Sequence, residues 1–194
     1  MRARTFAPAS APTPAPASAP AENIILAPFT IAVDSREQAP YRFESIPLAA
    51  AQRKQGKRLV VPTEFRTLVS GDYSIIGCES RVAVERKSLE DLYSTLGQGR
   101  ERFEKEVERL NDLECAAVVV EASWSEIIRP ADFRVKWRSE LNPASVAGTM
   151  FAWAVRYRNV RWIVAKNRRG GMKETFGVLS EWWARSRKHN HKEE

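Results

Sequence analysis

The amino-acid sequence predicts an α/β domain: a mixed central sheet flanked by helices. Three observations carry that prediction. Apolar runs of strand length recur between Phe29 and Ala165. Stretches with apolar residues at helical spacing alternate with them, and glycine-containing turns separate the two kinds of segment. At 194 residues the chain has room for one such domain with a tail.

The tail comes first. Residues 7–21 hold seven Ala and five Pro, which remove helix hydrogen bonds and leave nothing large to bury. Arg2 and Arg4 precede this stretch, but alternating Ala-Pro lacks the apolar run of a secretory signal. Residues 1–28 are therefore expected to be a disordered tether, with the domain running from 29 to 187 and a charged tail over 188–194.

Phe29–Val33 reads as a buried strand running into the polar loop Asp34-Ser35-Arg36-Glu37. Residues 45–57 are expected to form a short helix stopped at Gly56. Leu59–Val61 and Phe65–Val69 read as strands. Tyr73–Ile76, a turn over Gly77–Ser80 and Val82–Glu85 read as a hairpin. Ser88 opens a helix with Leu89, Leu92 and Leu96 on one face, interrupted at Gly97 and Gly99. Phe103, Val107 and Leu110 then mark a second helix. Ala116–Val120 suits a strand buried on both faces.

Asn142-Pro143 is an N-cap and first-turn pair, and Val146, Met150, Ala154 and Tyr157 line the helix that follows. Val160–Ala165 is another strand. Residues 172–187 form the last helix, with Met172, Phe176, Leu179 and Trp183 on one side. The six tryptophans, at 124, 137, 153, 162, 182 and 183, are expected mainly in the core.

Lys and Arg number 31 against 24 Asp and Glu, a net charge of +7. That excess is uneven: residues 29–129 carry a net −2 and residues 130–194 a net +8. A chain with carboxylates in one part and a basic half beside them suits a polyanionic partner. No stretch approaches the apolar length of a membrane span. Two cysteines, Cys78 and Cys115, make neither a disulfide framework nor a zinc site. A reducing, intracellular and cytoplasmic setting is expected.

The chemistry concentrates in residues 71–91. Glu85 and Lys87 lie two apart on one strand and so project from the same face, with Arg86 opposite. Asp72, at the mouth of the partner strand, reaches the same corner if the hairpin pairs as read. Two carboxylates and the Arg86 carbonyl oxygen are hard ligands suited to Mg²⁺, with Mn²⁺ as a substitute. A lysine beside metal-bound water can orient it, assist its deprotonation or neutralise charge developing on phosphorus. Such a site hydrolyses phosphodiesters. An acid-lysine pair alone also fits an exposed strand edge carrying ion pairs. The apolar Val82-Ala83-Val84 run before it favours a functional reading, because charges at a buried strand end are costly.

Val33-Asp34-Ser35-Arg36-Glu37, Gly71-Asp72-Tyr73 and Glu85-Arg86-Lys87-Ser88-Leu89-Glu90-Asp91 resemble, in order, the V-D-x-R-E, G-D and E-R-K-x-x-x-D blocks of the XPF family of structure-specific DNA endonucleases. The segment from Gly99 to Leu110 and the strand ending at Glu121 are similar as well. The resemblance spans residues 29–187. It implies a PD-(D/E)XK restriction-endonuclease-like core and a metal-dependent endonuclease acting on branched or junction DNA in repair or recombination.

By that resemblance Asp34, Asp72, Glu85, Arg86, Lys87 and Asp91 are the catalytic set, with Asp72, Glu85 and the Arg86 carbonyl as metal ligands. Arg36, Arg100, Arg102, Arg168 and Arg169 are the expected DNA contacts. Three simpler readings stand beside these: Asp91 as a helix first-turn residue, Arg100, Arg102 and Arg109 as an exposed basic face, and Arg168-Arg169-Gly170-Gly171 as a flexible polar turn. DNA is the expected partner, together with a homodimer formed through the nuclease domain; no partner is assigned to the tail, and no membrane is expected. Only seven residues follow position 187 and no helicase segment precedes the domain, so a stand-alone form without a helix-hairpin-helix module is expected. The alternatives are a non-catalytic DNA-binding subunit and a nuclease acting on RNA. The first is disfavoured because degenerate partners usually lose the acidic residues kept here.

Overall fold

The computed structural model describes residues 23–44, 46, 57–130 and 141–190. In chain order the elements are β1 (Ile24–Leu26), β2 (Ile31–Asp34), β3 (Arg58–Val60), β4 (Thr63–Arg66), β5 (Tyr73–Ile75) and β6 (Val82–Lys87). There follow α1 (Leu89–Leu96), α2 (Arg100–Asn111), β7 (Cys115–Val120), α3 (Trp124–Ile128), α4 (Pro143–Arg156), β8 (Val160–Val164) and α5 (Arg168–Asn190). This is the mixed α/β architecture expected.

The main sheet has the order β4-β2-β5-β6-β7-β8, and β1 and β3 form a separate parallel pair. Within the main sheet only the pairings of β5 are antiparallel. Five strands therefore run one way and β5 runs against them. The carboxyl ends of β2, β6 and β7 meet the amino end of β5 along one edge, the usual place for a site in an open α/β sheet.

Alternation along the strands divides the core between two faces. On the front, Ala83, Ala116, Val118 and Val120 pack under Leu92 of α1, Phe103 and Val107 of α2 and Met150 of α4. On the back, Val33, Tyr73, Val82, Val84, Ala117 and Val119 pack with Tyr41, Phe43 and, from α5, Leu179 and Trp182. Burial on both sides is why β7 reads as an unbroken apolar run. Ser88 caps α1 by accepting from the Asp91 N–H, and Asn142 caps α4 by accepting from Ala144. Among the described residues no helix is long and apolar enough to cross a membrane.

The structure corrects several sequence expectations. β1 lies within the span assigned to the tail, because Ile24–Leu26 pair in parallel with Arg58–Val60 and the Ala27 N–H continues to the Val60 carbonyl. The strand expected over 65–69 is β4, shifted towards the N-terminus; past Arg66 the chain turns Leu68 towards Asp34. On α4 the buried face carries Trp153, whereas Ala154 is exposed. The expected turn at 168–171 is the first turn of α5. The helix expected over 45–57, apart from Ile46 and Lys57, and Trp137 lie outside the described residues.

Candidate active site

The site grows out of two strand ends. Gly71 has φ 75°, and a Cβ there would stand 3.0 Å from the Ala83 Cβ and 3.1 Å from the Val84 carbonyl oxygen. Glycine thus permits the close approach that lets the Asp72 N–H donate to the Val84 carbonyl at 2.9 Å. Two residues further along β6, the Arg86 N–H donates to Asp72 Oδ2 at 2.7 Å. Asp72 and Glu85 follow the front-face alternation of Ser74 and Ala83, and Lys87 continues it.

Lys87 Nζ donates to Glu85 Oε1 at 2.6 Å and lies 4.6 Å from the centre of the Phe103 ring. Burial, with the Glu85 charge second, pushes the Asp72 carboxyl up to about 8. Glu85 is also raised, by burial, although Lys87 opposes the shift. For Lys87, burial disfavours the ammonium, yet Glu85 outweighs it and holds the group above its ordinary value. Burial raises the cost of ionising both carboxyls, and the Glu85 charge adds to it at Asp72, which is the electrostatic signature of a place for a cation.

The donor chemistry agrees with that signature. Residues alternate along a strand in the edge to which they offer N–H and C=O, so Arg86, like Val84, directs both towards β5. The β5–β6 pairing is over by that point, which leaves the Arg86 carbonyl without a strand partner beside Asp72. Among the described residues no group of three or more His, Cys, Asp or Glu side chains forms a metal-binding cluster. Two carboxylates and a carbonyl nonetheless fit a small hard cation that keeps several waters, as Mg²⁺ does.

The Arg86 side chain takes the opposite face. Its guanidinium donates from Nε and Nη2 to the two Glu121 carboxylate oxygens at 2.8 and 2.9 Å, and from Nη1 to Glu37 at 3.5 Å. The guanidinium groups of Arg86 and Arg168 both lie over the Tyr41 ring, at 5.7 and 5.1 Å from its centre. Arg168 also donates to the Ala39 and Pro40 carbonyls at 2.6 and 2.9 Å. A Cβ on Gly170 would stand 1.8 Å from the Ala165 oxygen, and one on Gly171 would stand 2.2 Å from the Tyr41 hydroxyl. The glycine pair therefore lets α5 start directly against this network.

The remaining sequence-predicted residues divide. Asp34 is buried and its carboxylate is fully engaged: it accepts from the Arg36 N–H, the Arg36 guanidinium and the Leu68 N–H. The Arg36 guanidinium holds it below the usual carboxylate range. Arg36 itself also donates to the Leu68 carbonyl, though its side chain stays 69% exposed. Asp91 is exposed and exchanges hydrogen bonds with Ser88 at the start of α1, which is the helix-cap reading. Arg100 donates to Thr149 and lies over the Trp153 ring. Arg102 and Arg169 are exposed. Arg168 is a tie between α5 and the 39–40 segment, not part of a flexible turn.

Glu37 and Glu106 stand near this centre and Glu121 lies behind it on the opposite face of the sheet; none of them stood in the expected site. Glu106 accepts from the Gly71 N–H at 3.0 Å and is bound by Arg109. With Glu37 it adds to the negative field that raises Glu85. Glu106 carried a sequence signal of sorts, standing on α2 one residue from the buried Val107.

The ERCC4 domain model matches residues 33–173, from the strand that ends at Asp34 to the first turns of α5. No curated protein gives a significant sequence match. Among solved structures the chain is similar to XPF from Aeropyrum pernix, with a TM-score of 0.53 at 20% identity, over 84% of this chain and 69% of that one. The family model thus covers β5, β6 and β7, and the chain belongs to the ERCC4 domain family of XPF-type nuclease domains.

Proposed function

We propose that this protein is a metal-dependent DNA endonuclease that hydrolyses phosphodiester bonds in branched or junction DNA, inside the cell, in repair or recombination. The observation that carries the reading is the convergence of Asp72, Glu85 and Lys87 on one face at the sheet edge, with both carboxyls raised by burial.

In this reading Asp72, Glu85 and the Arg86 carbonyl hold Mg²⁺ or Mn²⁺. The bound cation supplies an acidified water and charge neutralisation at the phosphate. Asp72 is fixed by the Arg86 N–H, so its carboxylate is oriented before anything binds. Lys87, held by Glu85 and Phe103, keeps its proton at Nζ and presents positive charge where negative charge builds on the phosphate. The basic C-terminal half supplies non-specific affinity for the backbone. Arg102 and Arg169 are the DNA contacts this reading favours, since both are exposed.

We also propose a homodimer. Trp124 and Phe151 stack at 5.4 Å across α3 and α4, and with Ile128 and Val155 they remain exposed, an apolar patch suited to a second copy. Sedimentation of F151E/V155E against wild type tests it, and equal association would end that part.

The decisive experiment for the activity is a cleavage panel with Mg²⁺, Mn²⁺ or chelator on single-stranded, duplex, flap, fork and four-way DNA, with matched RNA. Metal-dependent cutting confined to DNA with junctions is expected. Binding without cutting would identify a non-catalytic subunit, and preferential cutting of RNA would move the substrate class.

A further inference from the structure

We propose that Glu121 is a positioning residue for the metal site, gripping the catalytic strand from the back of the sheet; this rests on the nuclease reading above. Glu121 takes hold of two consecutive residues of β6. Its N–H donates to the Lys87 carbonyl at 2.8 Å, and its carboxylate accepts both arms of the Arg86 guanidinium.

On the other edge of β6 the ladder with β5 stops at Tyr73 opposite Val84. The Arg86 N–H therefore has a side chain, Asp72, where a strand would otherwise lie. The backbone at Arg86 offers two groups on the same edge: the N–H that orients Asp72 and the carbonyl offered to a cation. The β7 ladder holds this stretch of β6 along one edge only; on the β5 side no strand partner stands opposite Arg86, and the Arg86–Glu121 pair anchors the same residue from the back of the sheet.

The Glu121 side chain is 7% exposed and that of Arg86 12%. Glu37 and Arg168 each stand 3.5 Å away, from Arg86 and Glu121 respectively, and Tyr41 covers the pair. Glu121 lies across the sheet from Asp72, Glu85 and Lys87, so it acts through Arg86 and not on substrate. Outer partners of this kind, which orient the groups that touch the metal, typically change metal affinity by about 10–100-fold.

The test uses the full chain as wild type, Glu121→Gln, Arg86→Met and the double variant. Amide hydrogen exchange is read without metal, and Mn²⁺ binding is read by calorimetry without DNA. In Glu121→Gln the Arg86 amide should exchange about tenfold faster, as expected for losing one hydrogen bond's worth of protection, while Val84 and Val118 keep their rates. Its Mn²⁺ dissociation constant should rise by about tenfold or more. In the Arg86→Met background the second substitution should add nothing further.

Wild-type protection at Arg86 in folded Glu121→Gln would overturn the proposal, as would a full additional loss in the Arg86→Met background. Should Glu121→Gln fail to fold, R86M/E121L replaces the buried pair with apolar groups. Fast exchange at position 86 and weak Mn²⁺ binding are then required, and wild-type values overturn the proposal. A wild-type protein that neither binds Mn²⁺ nor cuts DNA would refute the nuclease reading instead, and the exchange measurement would still decide the role of Glu121.

Discussion

The Arg86 main-chain N–H donates to Asp72 Oδ2 at 2.7 Å, joining residues fourteen apart in sequence. This bond ties the Gly71-Asp72 turn to the Glu85-Arg86-Lys87 strand end, and so makes two sequence blocks into one site. It uses a backbone donor that β5 leaves unpaired. The site therefore exists because the ladder stops at Tyr73 and Val84, short of Arg86.

Removal of either carboxylate should abolish cleavage. Asp72→Asn and Glu85→Gln are each expected to slow single-turnover cutting by about 10²–10³-fold or more. DNA binding by gel shift should be equal or tighter, since neither change adds negative charge facing a polyanion. Undiminished cutting by either variant, or by wild type in chelator, would contradict the metal mechanism.

The metal-free protein should lose stability as pH rises. Asp72 is raised in the folded state to about 8 from an ordinary 3.8, so folding binds its proton more tightly. Its contribution is full below about pH 4 and disappears as pH climbs towards 8. Between pH 5 and 8 in chelator, wild type should fall relative to Asp72→Asn by at least about 1.4 kcal/mol, the equivalent of one pKa unit. Urea melts at both pH values measure this, and parallel curves would show that Asp72 titrates normally.

Lys87→Met should separate chemistry from binding. It keeps a stem able to cover Phe103 but removes the ammonium paired with Glu85. Cleavage should drop by about 10²–10⁴-fold, while the DNA dissociation constant changes little. A matching loss in both would make Lys87 a binding residue.

The two neighbouring arginines should behave differently. Arg169→Ala should reduce the slope of log affinity against log salt by about one, as expected for one lost phosphate contact. Arg168→Ala should instead lower the melting temperature, because it cuts the tie to the Ala39 and Pro40 carbonyls. Equal salt slopes for wild type and Arg169→Ala would remove Arg169 from the interface.

Truncations should locate where structure begins. A chain starting at Asn23 should melt and cut as the full chain does. One starting at Pro28 loses β1 and its pairing with Arg58–Val60, and should melt several degrees lower. A still shorter chain starting at Asp34 also loses Phe29, which stacks on Phe176 of α5. Loss of stability already at Asn23 would assign a structural role to the Ala/Pro segment.

Much of the fold was legible because local sequence carries local geometry. Ala83, Glu85 and Lys87 had to share a face once β6 was a strand, and Ser88 and Asn142 announced the helices they cap. Ile24–Leu26 was harder to read: three apolar residues after an Ala/Pro tract become a strand only because Arg58–Val60 lies beside them. Ala154 fell on the expected stripe of α4, but Trp153 fills the core there by packing against Phe103 and Trp162.

By itself the sequence determined the alternating α/β pattern and the identity of the residues that meet at the sheet edge: Asp72, Glu85 and Lys87. Periodicity along β6 and the need for glycine beside Asp72 act over a few residues, so they are written locally. Only the tertiary structure decided what the other charges do. Arg86 finds Glu121 thirty-five residues away, Arg168 finds Pro40 across 128, and Asp34 is taken up by Arg36 and Leu68. Those partners depend on which strands are neighbours and which face each side chain takes. A charged residue in a sequence announces only that it needs a partner; the packing of the sheet chooses which one.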